Sequence, residues 1–242
     1  MVSDVIKNNR SYYIKSLADD DEFSRLDAWY KVGFLIENKI LDKDYVVSHK
    51  DLFLDLLTTD DEMVKVHAWV LARRFADSGY INKEDIQKRK EFLLPYIKSG
   101  DLTAWWNADD LINGKYLEPE YLRKYKDVFI EKLHDSDVGT LTDAWHMIPL
   151  MLRDKIISKD DYVNYKDKIL SVLDSKNPYI RLNGWETVIS LAEAGVLSSD
   201  DISKYKDKAM ELLSGDDIIK LTSLFDTTVE KFKERLKNIG LI

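Results

Sequence analysis

The sequence predicts an all-α protein, a solenoid of six antiparallel helix pairs. Three observations predict it. Tryptophan recurs at a near-constant interval, glycine and proline are scarce, and the stretches between tryptophans carry apolar residues at helical spacing. Trp29, Trp69, Trp105, Trp145 and Trp185 are separated by 40, 36, 40 and 40 residues, and a further step of 40 reaches Phe225. Intervals of this size mark stacked repeats, each too small to bury its own apolar face. Nine glycines and four prolines in 242 residues leave few tight turns for a β fold.

Other columns keep the same register. The residues before the six aromatics are Ala28, Ala68, Ala104, Ala144, Gly184 and Leu224. Three before them stand Leu26, Val66, Leu102, Thr142, Leu182 and Thr222. Eleven after the first five come Ile40, Tyr80, Tyr116, Ile156 and Val196, then Leu41, Ile81, Leu117, Ile157 and Leu197. The repeats run over residues 1–41, 42–81, 82–117, 118–157, 158–197 and 198–242, one helical-repeat domain in all.

Each repeat reads as two helices. The first is clearest where Tyr165–Leu173 aligns with Tyr205–Leu213. Ser158 with Asp161, Ser198 with Asp201 and Asn82 with Asp85 predict capping boxes at its start, with Asp in place of Glu. Pro119 falls near the first helical position of repeat four, where a missing N–H costs nothing. The second helix carries the tryptophan. In repeat five Leu182, Trp185, Val188, Ile189 and Ala192 form one apolar stripe. Pro178 opens that helix, and Gly195, like Gly79 in repeat two, closes it as a left-handed cap.

Repeat three is four residues short, and the alignment on both sides puts the deletion between its helices, at Lys98–Asp101. Pro149 predicts a kink in the second helix of repeat four. The ends read as caps. Lys7, Asn8, Asn9 and Arg10 make the first helix polar. A last helix over about 227–239 puts Val229, Phe232, Leu236 and Ile239 on one side. Terminal repeats need a polar outer face, so these ends predict a complete array.

Composition excludes several classes. The chain has no cysteine, so disulfides, thiolate metal sites and thiol nucleophiles are absent. That fits a reducing, cytoplasmic setting. The formal net charge of −8 opposes binding to a phosphate backbone. No apolar h-region follows Met1, and no stretch predicts a membrane span.

The pattern resembles the HEAT-like repeats, which pair an Asp in the inter-helix turn with a Val/Ile-Arg step and then Ala. Repeat five shows Asp174, Ile180-Arg181 and Gly184. Repeat two shows Asp60 or Asp61, Val64-Lys65 and Ala68, and repeat one Asp20 or Asp21, Arg25 and Ala28. Repeats three, four and six depart from it, with Asp101, Leu141 and Leu221 in the basic column. The resemblance covers nearly the whole chain. It implies a right-handed α–α superhelix, and a non-enzymatic scaffold or adaptor that binds a protein or peptide on its concave face.

In armadillo-type arrays a related tryptophan lines the groove. Here the column shares its stripe with Leu26, Val66, Leu102 and Leu182, which points it into the core. The exposed edge of the second helices is the better place for a site. One residue after the tryptophan stand Tyr30, Val70, Trp106, His146, Glu186 and Asp226; five after it stand Phe34, Arg74, Asp110, Leu150, Ser190 and Glu230. The binding candidates are Tyr30, Phe34, Arg74, Trp106, Asp110 and His146, since large aromatics beside Arg are enriched at interface hot spots. Trp106 either contributes to that surface or fills the space left by the deletion.

No catalytic residue, metal site or cofactor is expected. The four histidines never pair at helical spacing, and the His-Glu pairs by which some HEAT-like oxygenases hold iron are absent. Most acidic pairs fall at helix starts, where capping explains them; Asp109-Asp110 lies inside a second helix near Trp106 instead. No phosphate loop or nucleophile elbow occurs. The alternative reading is a nucleic-acid-binding protein, such as the DNA glycosylases built from HEAT-like repeats. Trp106, Tyr30 and Asp110 could mimic their Trp, Tyr and Asp near the damaged base, although the net charge opposes it. Self-association through the apolar middle repeats is a third.

Overall fold

The computed structural model describes residues 10–215, 218 and 227–242. All regular structure among them is helical, with no strand. Lys7, Asn8, Asn9, Phe225 and Asp226 lie outside the described residues. The chain divides into an N-terminal half, residues 1–122, and a C-terminal half, residues 123–242.

The N-terminal half runs α1 (Arg10–Leu17), α2 (Glu22–Tyr30), α3 (Val32–Glu37), α4 (Lys43–Ser48), α5 (Asp51–Leu54), α6 (Glu62–Asp77), α7 (Lys83–Gln87), α8 (Leu94–Ser99) and α9 (Leu102–Asn113). Helix α10 (Glu120–Arg123) straddles the division. The C-terminal half continues with α11 (Lys126–Lys132), α12 (Val138–Arg153), α13 (Lys159–Tyr162), α14 (Lys166–Ser171), α15 (Pro178–Glu193), α16 (Ser199–Ser203), α17 (Lys206–Ser214) and α18 (Val229–Asn238). The tryptophan-bearing helices pack in series within each half, α2 on α6 and α6 on α9, then α12 on α15, and α15 packs in turn on α18, which has no tryptophan.

The first helix expected in each of repeats two to six is two short pieces. Breaks fall at His49-Lys50, at Lys88-Arg89 and before Tyr125, Tyr165 and Tyr205, with 3-10 turns at several of them. Apolar spacing continues unbroken across these points, so nothing in the pattern foretells them. The capping boxes do form: Asn82, Ser158 and Ser198 each exchange bonds with the Asp three residues on. Pro178 stands at the start of α15. Helix α12 continues through Pro149 as a single element.

The five tryptophans are buried and form the centre of the core. The indole N–H of Trp29, Trp69 and Trp145 donates to the carbonyl twelve residues upstream, on Leu17, Leu57 and Leu133, at 3.2, 3.2 and 2.9 Å. Trp105 makes the same bond to Ile97, eight residues upstream, at 3.0 Å. Twelve less four is eight, so the deletion lies between the helices, where Gly100 turns left-handed at φ 77°. The indole N–H of Trp185 has no acceptor among the described residues. Beside it Gly184 stands where four other repeats have Ala. A Cβ there would lie 2.7 Å from Val172 Cγ1, closer than packing allows.

The second helices end alike. Lys39, Gly79, Lys115, Lys155, Gly195 and Gly240 all have positive φ. The N–H after each donates to the carbonyl five residues back, on Leu35, Phe75, Leu111, Met151, Leu191 and Leu236, at 2.8–3.0 Å. This is the Schellman motif, which satisfies carbonyls that a helix end leaves open. The caps are spaced 40, 36, 40, 40 and 45 residues apart. The last interval is five residues longer than the one before it, and Phe225, the aromatic expected at the sixth step, lies outside the described residues. Phe232, Leu236 and Ile239 of α18 are buried and Val229 is half-buried, as the amphipathic pattern requires.

A Lys–Asp rung links consecutive repeats within each half. Lys50 meets Asp85 at 2.7 Å in the N-terminal half. Lys126 meets Asp161 and Lys166 meets Asp201, each at 2.8 Å, in the C-terminal half. In the column between, Tyr121 replaces the Asp and its hydroxyl donates to the Lys90 carbonyl at 2.7 Å. Burial works against the Asp201 carboxylate, but bonds from Lys166 and from Ser198 outweigh it and hold its pKa at about 2.

Candidate functional site

Helices α2, α6 and α9 set the geometry of the N-terminal half's open face. Residues at i, i+4, i+7 and i+11 share one side of a helix. In repeat one these are Phe23, Asp27 and Tyr30, with Phe34 on α3 beyond Lys31; in repeat two, Met63, His67, Val70 and Arg74; in repeat three, Thr103, Trp106 and Asp110. The opposite side of the same helices carries Leu26, Trp29, Trp69, Phe75, Trp105 and Ala108, all buried. Amphipathicity therefore fixes which side faces outward.

Six large apolar side chains stand exposed on that face: Phe23 (61%), Tyr30 (36%), Phe34 (48%), Met63 (63%), Val70 (42%) and Trp106 (46%). Solvent exposure of this many apolar groups on adjoining helices is unfavourable, because each leaves apolar area in contact with water. Trp106 projects into solvent, so it does not fill the space left by the deletion.

The floor of the face is tied together by hydrogen bonds. The Tyr30 hydroxyl donates to the His67 carbonyl at 3.2 Å, and the Arg74 guanidinium donates to the Tyr30 carbonyl at 3.2 Å. Burial pushes the Tyr30 phenol pKa up, with Arg74 working against the rise. The Glu22 carboxylate accepts from the Thr59 hydroxyl and joins the starts of α2 and α6. Asn107 donates to the Val66 carbonyl at 3.3 Å.

Arg73 is the stronger tie. It donates to the Asp110 carbonyl at 2.7 Å and to Asp77 at 2.6 Å, and lies 3.6 Å from the Asp110 carboxylate. Tyr116 donates to the other oxygen of Asp77 at 2.8 Å. Burial opposes ionisation of Asp77, but the Tyr116 and Arg73 bonds prevail and its pKa is lowered. Asp109 is buried in α9 and Asp110 is half-buried beside Arg73. This arrangement suits a structural ion pair better than a base poised in a cleft.

Five of the six expected residues, Tyr30, Phe34, Arg74, Trp106 and Asp110, thus fall on neighbouring helices of one half. The sixth, His146, is exposed on α12 of the C-terminal half. Three residues before it, burial raises the pKa of Asp143, with the charge of His146 working against the rise. The pattern missed Phe23 and Met63. Their signal was available: each stands seven residues before a member of the exposed column, Tyr30 or Val70.

No group of His, Asp or Glu among the described residues could hold a metal ion. No helix among them is long and apolar enough to cross a membrane. No protein-family model matches the chain, and no curated protein matches its sequence.

Proposed function

We propose that the chain is a HEAT-like superhelix of six helix pairs that acts as a non-enzymatic scaffold, binding a protein or peptide on the open face of its second helices. The observation that carries the reading is the set of six exposed apolar side chains, Phe23, Tyr30, Phe34, Met63, Val70 and Trp106, on α2, α3, α6 and α9 of the N-terminal half. Two aromatic side chains and an arginine near the middle of such a face supply the residue types that dominate binding energy. The repetition of indole bonds, left-handed caps and Lys–Asp rungs at nearly constant intervals supports a repeat array.

Selection of a random 16-residue displayed peptide library on the immobilised full chain tests the reading. Enriched peptides should bind the Tyr30→Ser/Trp106→Ser variant at least roughly tenfold more weakly, a loss of about 1.4 kcal/mol or more. Loss of the Tyr30 tie to the His67 carbonyl should lower the unfolding temperature of the variant slightly, and circular dichroism should show the helical content of the parent. No enrichment, or equal binding to both proteins, overturns the proposal.

A further inference from the structure

We propose that the partner presents a cationic amphipathic segment, a stretch of polypeptide in which Lys or Arg alternates with large apolar side chains. The inference rests on the binding face just described and names the chemistry of what occupies it. The face is apolar along its middle and acidic along one edge. Phe23 and Met63 are at the second positions of α2 and α6, each directly preceded by carboxylates: Asp20, Asp21 and Glu22 in one case, Asp60, Asp61 and Glu62 in the other.

Three of these six carboxylates are not used up inside the fold. Asp21 and Asp61 cap their helices by accepting from Ser24 and Val64. Glu22 bonds Thr59 and lies 3.6 Å from Arg25. The exposed side chains of Asp20, Asp60 and Glu62 make no hydrogen bond or ion pair among the described residues. Nearby cations are turned elsewhere. Arg25 donates to the Asp19 carbonyl at 3.0 Å, and Lys65 lies over the Tyr96 ring at 5.7 Å.

The Glu22–Thr59 bond holds the two acidic helix starts side by side, so their fields add over Phe23 and Met63. A partner that inserts apolar groups between these side chains must pass the carboxylates. An anionic one is repelled, and a cationic one gains charge pairing at the rim as it buries its apolar side chains. The same field turns away nucleic acid and anionic lipid, whose phosphates would meet like charge.

The test uses the full chain and three labelled synthetic peptides of about five helical turns. They share one apolar face and carry Lys, Gln or Glu at the polar positions. Fluorescence anisotropy at low salt should rank them Lys, then Gln, then Glu, with roughly tenfold between the first and last. The advantage of the Lys peptide should shrink at about 0.5 M salt, where exposed charges are screened. It should also shrink in the Asp20→Asn/Asp60→Asn/Glu62→Gln variant, which leaves both caps in place. Phe23→Ser/Met63→Ser should weaken all peptides that bind. Equal binding of the three peptides, or a Lys preference untouched by the acidic-edge variant, overturns this inference and leaves the scaffold reading standing. Binding by none also overturns it. Whether the face binds peptides at all is then decided separately by the library selection.

Discussion

The two halves of the molecule repeat the same buried columns and differ in what the outward columns show to solvent. In the N-terminal half the outward stripe carries Phe23, Tyr30, Phe34, Met63, Val70 and Trp106. In the C-terminal half it reads Gly139, Asp143, His146 and Leu150 on α12, then Tyr179, Asn183, Glu186 and Ser190 on α15. Only Tyr179 among these is a large exposed apolar group. The polar groups are also engaged internally. Arg235 of α18 donates to Glu186 at 2.5 Å, to both oxygens of Glu193 at 2.8 and 2.9 Å, and to Ser190 at 3.1 Å. Asn183 donates to Thr142 at 3.1 Å. Columns that point inward are held to apolar residues by packing, whereas outward columns are free to specialise, and the two halves have specialised differently.

The largest expected effect comes from the clasp peculiar to the C-terminal half. Arg235→Ala leaves Glu186, 15% exposed at its side chain, without its cation. Stranding a mostly buried carboxylate should lower stability by about 2–3 kcal/mol, seen as a fall in the urea midpoint. A shift near zero would mean the clasp is ornamental and the contrast with the open N-terminal face is weaker than drawn here.

A second experiment separates tryptophans that the alignment treats as equivalent. Trp69→Phe removes a bonded indole N–H and leaves the Leu57 carbonyl open, whereas Trp185→Phe removes an N–H with no acceptor among the described residues. Both lose packing volume, so the difference isolates the hydrogen bond. Trp69→Phe should be the more damaging by about 1 kcal/mol in chemical denaturation. Equal losses would show that the indole bond contributes nothing net.

How much of this was legible beforehand depended on which force wrote the pattern. The tryptophan column, the capping boxes at Asn82, Ser158 and Ser198, and the left-handed Gly79 and Gly195 follow from burial and local backbone chemistry, both readable along a single chain. The deletion in repeat three was legible because register on either side of it survives. The break inside the first helices was not, since Tyr162, Tyr165 and Ile169 keep helical spacing across it. In repeat six Phe225, the aromatic at the expected interval, lies outside the described residues, while the cap at Gly240 sets a step of 45 residues. Of the exposed apolar groups, Tyr30, Val70 and Trp106 were legible in the column after the tryptophan and Phe34 in the column five after it. Phe23 and Met63 escaped because they lie in the first turn of their helices, where a turn residue and a face residue look alike in sequence.

The smallest expected effect concerns the caps, which differ within each half. Lys39, Lys115 and Lys155 hold a left-handed conformation that Gly79, Gly195 and Gly240 adopt without strain. Replacing Lys155 by Gly should raise stability by about 0.5–1 kcal/mol, and Gly79→Ala should lower it by a similar amount, both measurable as shifts in melting temperature. A destabilising Lys155→Gly would indicate that the lysine side chain contributes more than its backbone costs.

The ties beneath the open face have a kinetic meaning. Tyr30, Arg74, Asn107 and Arg73 fasten α2, α6 and α9 to one another before any visitor arrives. A visitor therefore meets a surface that is already ordered, and the entropy lost on docking falls mainly on the visitor. Capture should then proceed at similar speed for segments of similar charge. How long each one stays, governed by how well it fills the gaps around Trp106 and Phe34, becomes the quantity by which this protein tells one visitor from another.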